Sequence, residues 1–209
     1  MQNVICNSCF ENHYLSKALR AKSVRVFDSK NGNKKNVITC IDELLPLYPY
    51  DLWNKQLLFD WKIRGERSLS FLFATVVHKA LVQNGITTIV PVPPRPHKIE
   101  ENGWDQIDEL CNYLEAFYGV KILRLLERKT TLQMKKLNRE ERLGNLNKSY
   151  FLKSKEEIGA ILKKNNCEFP KKVCLLDDVM TTGATLESCG ACLKRGGGKE
   201  VLAMTLFKV

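Results

Sequence analysis

The chain has 209 residues, with 33 Lys and Arg against 23 Asp and Glu, a formal net charge of +10 and a pI near 9.2. That length suffices for one domain of ordinary size plus a small appendage, and the charge suggests a polyanion as partner. Met1–Cys6 shows no basic-then-apolar leader and no uncharged apolar run reaches about 18 residues, so a soluble, cytoplasmic chain without a membrane span is expected.

Residues 1–45 differ in character from the remainder. Cys6-x-x-Cys9 is half of a zinc-ribbon signature, His13 lies four residues on, and Cys40 follows a predicted hairpin. That hairpin pairs Val24-Arg25-Val26-Phe27 with Val37-Ile38-Thr39 across Lys30-Asn31-Gly32-Asn33. Closing it brings Cys40 back to the knuckle, where three sulfurs and the His13 imidazole suit a tetrahedral zinc ion. A knuckle that has lost its metal is the alternative, because the segment holds no second Cys-x-x-Cys. The eight cysteines of a cytosolic chain are expected to be reduced, metal-bound or buried rather than disulfide-bonded.

Pro46-Leu47-Tyr48-Pro49 marks the predicted junction to a main domain over 46–209. A helix is expected over Asp51–Phe59, interrupted by Trp61–Arg67 with the loop cations Lys62 and Arg64. Ser68 then caps a second helix over Leu69–Gln83, whose Phe71, Leu72, Val76 and Leu81 should face the core. Ile86–Val90 is β-branched and predicts a strand. It runs into the proline-rigid loop Pro91–Lys98, which holds Arg95, His97 and Lys98 ready for a phosphate; a stiff turn with solvated cations is the plainer alternative. Asp105–Tyr118 has helical spacing (Ile107, Leu110, Leu114, Phe117), Gly119 closes it, and Val120–Leu126 predicts another strand.

Glu127–Lys148 is the most polar long connection. From Lys121 to Tyr150 there are nine basic residues against three acidic ones, so the segment reads as a solvated excursion or a flap over a site. Lys129, Lys135, Lys136, Arg139 and Arg142 are its candidate contacts to nucleic acid, single-stranded DNA in particular. Lys153–Lys164 predicts a helix, and Glu200–Phe207 a last strand.

Between them, Val173–Leu176 reads as a strand buried on both faces, with Asp177 and Asp178 at its carboxyl end, where ligands bind in open α/β sheets. Thr181, Thr182, Gly183, Ala184 and Thr185 follow and lead into a segment with helical spacing at Leu186, Cys189 and Leu193. A close-wrapping backbone before a helix N-terminus cradles phosphate. Carboxylates for hydroxyls beside donors for an anion suit a ribose 5-phosphate. The alternatives are a magnesium site of phosphatase type or a plain strand-to-helix turn. Alternating strands and helices predict an α/β fold with a doubly wound, mainly parallel sheet.

The run Val173–Leu186 resembles the phosphoribosyl pyrophosphate (PRPP) motif of type I phosphoribosyltransferases. The likeness implies that Asp177 and Asp178 accept hydrogen bonds from the ribose hydroxyls and that Thr181–Thr185 grips the 5-phosphate, with magnesium on the pyrophosphate. Four further blocks narrow it: Ile89–Pro93, Gly103–Gln106, Arg128–Gln133 and Arg139–Asn145 occur in the order of the ComF competence family. That resemblance covers about 46–209 and places the N-terminal knuckle where the family carries a zinc domain. It implies a phosphoribosyltransferase-like fold with a small β-hairpin, zinc-ribbon-like appendage, Arg95–Lys98 in the pyrophosphate-loop region and Thr130–Asn145 as a flexible loop. Either a transferase of nucleoside metabolism acting on an unknown acceptor or a non-enzymatic competence factor handling single-stranded DNA with the uptake machinery would follow. The chain departs from the family at His97, Glu100 and Asn102, where arginines are usual. Thr181 stands where purine-salvage phosphoribosyltransferases carry Asp, which argues against 6-oxopurine salvage.

Overall fold

A computed structural model describes residues 5–25, 40–129 and 149–209. Its axis is the strand that begins with Val173-Cys174-Leu175-Leu176. This strand (β7, Lys172–Met180) pairs in parallel with the last strand (β8, Glu200–Lys208) on one side and with β3 (Thr88–Pro91) on the other. Beyond β8 lies β2 (Glu43–Pro49), also parallel, and then β1 (Val24–Arg25), antiparallel to β2; beyond β3 lies β4 (Lys121–Ile122). The order β1-β2-β8-β7-β3-β4 leaves β7 with a neighbour on each side, which is why its apolar residues alternate into two cores.

Cys174 and Leu176 point to one face and Val173 and Leu175 to the other. The first face is covered by α2 (Leu52–Lys62), α3 (Ser68–Gln83) and α5 (Gln106–Tyr118), the second by α7 (Ala184–Arg195) with α6 (Lys155–Lys164) packed against it. Helices on both faces of a mainly parallel sheet make the expected doubly wound α/β fold. A short helix, α4 (Lys98–Asn102), precedes α5, and helical turns over Asn7–Cys9, Phe10–Leu15 and Ser16–Ala18 form α1, the middle part in π geometry. Outside the main sheet, β5 (Leu126–Arg128) and β6 (Tyr150–Leu152) form an antiparallel pair.

Several boundaries differ from expectation, each for a local reason. Pro46–Pro49 is extended, as its two prolines favour, and forms the body of strand β2, where Leu45, Leu47 and Tyr48 have a core to enter. The helix expected to stop at Phe59 continues to Lys62, because Trp61 is fully buried and its indole N–H donates to Ser70 Oγ at 2.7 Å. Asp51, not a helical residue, caps that helix by accepting from the Asn54 amide at 2.8 Å. Ser68 is the first residue of α3 and its hydroxyl donates to Glu66 instead of capping. Phe71, expected in the core, is exposed and meets the exposed Phe117 edge to face at 5.7 Å between α3 and α5. The strand expected over Val120–Leu126 splits into β4 and β5.

The N-terminal residues that are described join the main core: Ile5, Tyr14 and Ala18 pack with Tyr48 and Trp61, and the Tyr14 hydroxyl donates to Asn54 Oδ1 at 2.8 Å. Val24 and Arg25 pair with Leu44 and Glu43, a partner the sequence did not suggest, whereas the predicted second arm, Val37–Thr39, lies outside the described residues.

Candidate functional site

β7 outlasts its apolar run. It stays paired with β8 as far as Met180 opposite Lys208, so Asp177 and Asp178 sit within the strand instead of beyond it. Successive strand residues point to opposite faces, and the two carboxylates part accordingly. Asp178, 6% exposed, turns to the α2/α5 side: its Oδ2 accepts from Lys62 Nζ at 2.6 Å and from Gln106 Nε2 at 2.8 Å. Asp177 turns towards α7 and β6, within electrostatic reach of Tyr150 and Cys189. Burial first, and the negative charge of Asp178 second, push the Asp177 carboxyl up to about 8. Burial works against the Lys62 ammonium, but the attraction of Asp178 outweighs it and holds that group above its ordinary value.

Both aspartates line one cavity of about 410 Å³ at the carboxyl edge of β3 and β7. Thr181 and Thr185 line it too. Gly183 precedes α7 with φ +78, a left-handed conformation that suits a residue without a side chain, and its carbonyl accepts from the Glu187 amide at 2.9 Å. Thr182 Oγ1 receives the Ala184 amide at 3.4 Å. The stretch Thr181–Thr185 is thus a turn leading into the N-terminus of a 12-residue helix, at one wall of the cavity.

The Pro91–Lys98 stretch leaves β3 and forms part of the opposite wall through Pro94, Arg95 and Lys98. Its cations are engaged by nearby acids rather than held free. Arg95 pairs with Glu101, and His97 Nδ1 lies 2.7 Å from Glu100 Oε2. Lys98 Nζ lies 2.6 Å from Asp105 Oδ2 and also bonds Gln106 Oε1. The cause is α4: Lys98–Asn102 coils and carries Glu100 and Glu101 back over the loop. His97, in the left-handed region at φ +64, opens that helix and does not line the cavity.

Among the lining residues that were not candidates are Lys62, Asp105, Gln106 and Arg128. Asp105 caps α5 by accepting from the Ile107 and Asp108 amides at 3.0 Å, and so fixes Gln106 at the first helical position, where it bridges Asp178 and Lys98. Arg128, on β5, stands over the Tyr150 ring at 5.3 Å. Gln106 and Arg128 both lie in blocks that carried the family likeness, so the signal was there; Lys62 was noted only as a loop cation and is the last residue of α2.

Of the nucleic-acid candidates, Lys129 is described: it pairs with Glu127 at 3.2 Å and stands over the Phe151 ring at 4.9 Å. Lys135, Lys136, Arg139 and Arg142 lie outside the described residues. The predicted zinc set is not brought together. Cys6 Sγ accepts from the Cys9 amide at 3.3 Å, and His13 borders a separate cavity of about 370 Å³ with Cys9. Cys40 lies against α7, its amide donating to the Glu187 carboxylate at 2.9 Å and its carbonyl crowding Gly190. Among the described residues no three His, Cys, Asp or Glu side chains gather as a metal site. A second Cys-x-x-Cys does exist, Cys189–Cys192, but both thiols are buried under α7 in the second core. Among the described residues no helix is long and apolar enough to cross a membrane.

The chain is similar to three curated competence proteins. It is 29% identical to competence protein ComFC of Streptococcus pneumoniae over 162 residues, 78% of this chain and 66% of that protein. To competence protein F of Haemophilus influenzae it is 30% identical over 116 residues, 54% of this chain and 46% of the relative. To ComFC of Bacillus subtilis it is 28% identical over 166 residues, 78% of this chain and 62% of the relative. The chain therefore spans less than two thirds of the length of the relatives it matches. No family model matches.

Proposed function

On the premise that this chain belongs with the ComF competence proteins, we propose that it binds PRPP with magnesium at the β7 cavity and serves a ComF-type role in competence. The observation that carries this reading is the meeting, at one cavity, of two strand-borne carboxylates with the Thr181–Thr185 turn at the start of α7. Carboxylates accept from the ribose hydroxyls, and the free amides of a helix N-terminus favour the 5-phosphate. Lys98, Arg95 and Arg128 are the lining cations suited to the pyrophosphate, though phosphate oxygens must displace Glu101 from Arg95 and Asp105 from Lys98.

The carboxyls also fit magnesium, which takes one or two carboxylates together with substrate phosphates. Asp177 is the better donor, because a cation would relieve the crowding that keeps its carboxyl protonated, whereas Asp178 is already held by Lys62 and Gln106. Bound there, magnesium would neutralise charge on the pyrophosphate. Transfer to an acceptor breaks the bond between the anomeric carbon and the pyrophosphate oxygen, and positive charge builds on the sugar. The Asp178 carboxylate, and Asp177 once a bound cation has drawn off its proton, would stabilise that charge without having to reorganise.

A second reading, a single-strand DNA binder without turnover, is favoured by the net charge of +10 and by the basic run from Lys121 to Tyr150. Calorimetry with PRPP and magnesium tests the first. Asp177→Asn with Asp178→Asn keeps size but removes charge-assisted bonds of roughly 1.5–3 kcal/mol each, so affinity should fall at least about tenfold. Wild-type protein that gives no heat, or a double variant that binds equally well, defeats the assignment. PRPP binding without pyrophosphate release in the presence of any acceptor would leave the non-catalytic reading.

A further inference from the structure

Beside the β7 cavity lies another of about 350 Å³, and the two share Lys62, Val179 and Thr181 as a common wall. Its far wall is α2, where Lys55, Phe59 and Lys62 fall at i, i+4 and i+7 on one face, closed by Tyr50 just past β2. The lining is apolar at Leu58, Ile63 and Val179 and aromatic at Tyr50 and Phe59. Phe59 is 44% exposed and Ile63 67%, so apolar surface stands open on a slot that an aromatic ring can cover.

Every polar side chain of this cavity can donate: the ammonium groups of Lys55 and Lys62 do only that, and the hydroxyls of Thr181 and Tyr50 can donate or accept. No carboxylate stands among its described lining residues. Lys62 gives one bond to Asp178 and an ammonium carries three protons, so it retains donors for a ligand. A ligand that suits these walls is flat, apolar in body and negatively charged. An aminopurine is disfavoured relative to an anion, because it carries no charge to meet the two ammonium groups and its exocyclic amine finds only two hydroxyl oxygens as side-chain acceptors among the described lining residues. A ring nitrogen that must shed a proton is disfavoured as well, because the slot offers no carboxylate to take it.

We propose that this cavity receives a flat aromatic anion of the pyridine carboxylate class, the acceptor for the neighbouring phosphoribosyl site. The acceptor role rests on the PRPP reading given above; the binding does not. In that role the lone pair of the unprotonated ring nitrogen forms the bond to the anomeric carbon. The carbon–oxygen bond to pyrophosphate breaks, its electron pair leaves on the pyrophosphate oxygen, and no proton changes hands. Lys55 anchors the carboxylate, while Tyr50 and Phe59 hold the ring.

The test is calorimetry with nicotinate, benzoate and adenine, each with and without PRPP and magnesium, on wild-type protein and on the variants Lys55→Gln and Ile63→Glu. Both substitutions fall on exposed helix-surface or helix-end positions, and circular dichroism checks that the variants fold. Nicotinate and benzoate should bind and adenine at least about tenfold more weakly, and each substitution should weaken the anions about tenfold, as expected for losing or opposing a charged contact. Nicotinate should release pyrophosphate from PRPP, whereas benzoate, which binds but has no ring nitrogen, and adenine, which the slot disfavours, should not. Absence of binding by both anions under both conditions, adenine binding as tightly, or variants that bind like wild type would each overturn the proposal. Nicotinate binding to protein that ignores PRPP would sink the PRPP reading and the acceptor role while leaving the pocket. PRPP binding with no aromatic anion bound would do the reverse.

Discussion

Replacing Asp177 by Asn should change how stability depends on pH, and the sign is fixed by the direction of the shift. In the folded protein burial and the Asp178 charge raise the Asp177 carboxyl from 3.8 to about 8. Between those values the unfolded chain has lost this proton and the folded chain keeps it, so folding binds a proton and stability falls as pH rises. The loss sets in above the unfolded value and is complete once pH passes the folded one. One displaced proton is worth about 1.4 kcal/mol per pH unit, which caps the effect at nearly 3 kcal/mol between about pH 6 and about pH 8. Asp177 is only partly buried and its cavity opens to solvent, so about 1–2 kcal/mol is expected. Urea unfolding of wild type and Asp177→Asn at both pH values isolates the term, since every other titrating group is common to the two proteins. The variant should gain stability relative to wild type by that amount on going to the higher pH. A difference that stays flat across the window would show that Asp177 ionises normally, and the account of its crowding would fail.

The parts of this protein that the sequence made legible are those governed by local pattern. The apolar run Val173–Leu176, the β-branched Ile86–Val90 and the apolar Val201–Phe207 all lie in or against adjacent parallel strands, and Asp105 and Gly119 bound α5 as their chemistry predicts. What was hidden depends on partners distant in sequence. That β7 runs on through Asp177 and Asp178 follows from pairing with Thr205, Phe207 and Lys208, and the splitting of the two carboxylates between faces follows from that continuation. Lys62 reaches Asp178 across 116 positions of sequence, and Gln106 reaches it across 72, so neither contact leaves a trace in spacing. Arg95, His97 and Lys98 illustrate the converse. Their proximity to a strand end was legible, but the acids that engage them come from a five-residue helix too short to show a period.

Two further outcomes are expected. Gly183→Ala places a side chain on a residue at φ +78 in the turn before α7, which should cost roughly 1–2 kcal/mol of stability and weaken PRPP, both read by urea unfolding and calorimetry; unchanged values would mean that the turn relaxes freely. The last concerns the basic run, where Lys135, Lys136 and Arg139 are the test positions on grounds of sequence alone. If single-stranded DNA is held there, each phosphate neutralised releases counterions, and the logarithm of affinity falls with the logarithm of salt by about 0.7 per contact. Replacing the three cations by Gln should therefore reduce the slope by about two units while PRPP affinity holds, because the substitutions leave in place Arg95, Lys98 and Arg128, which line the cavity among the described residues. A slope unchanged in the triple variant would move the DNA surface elsewhere. A slope and a PRPP affinity that fall together would mean that the run closes over the cavity, so that one set of cations serves both anions.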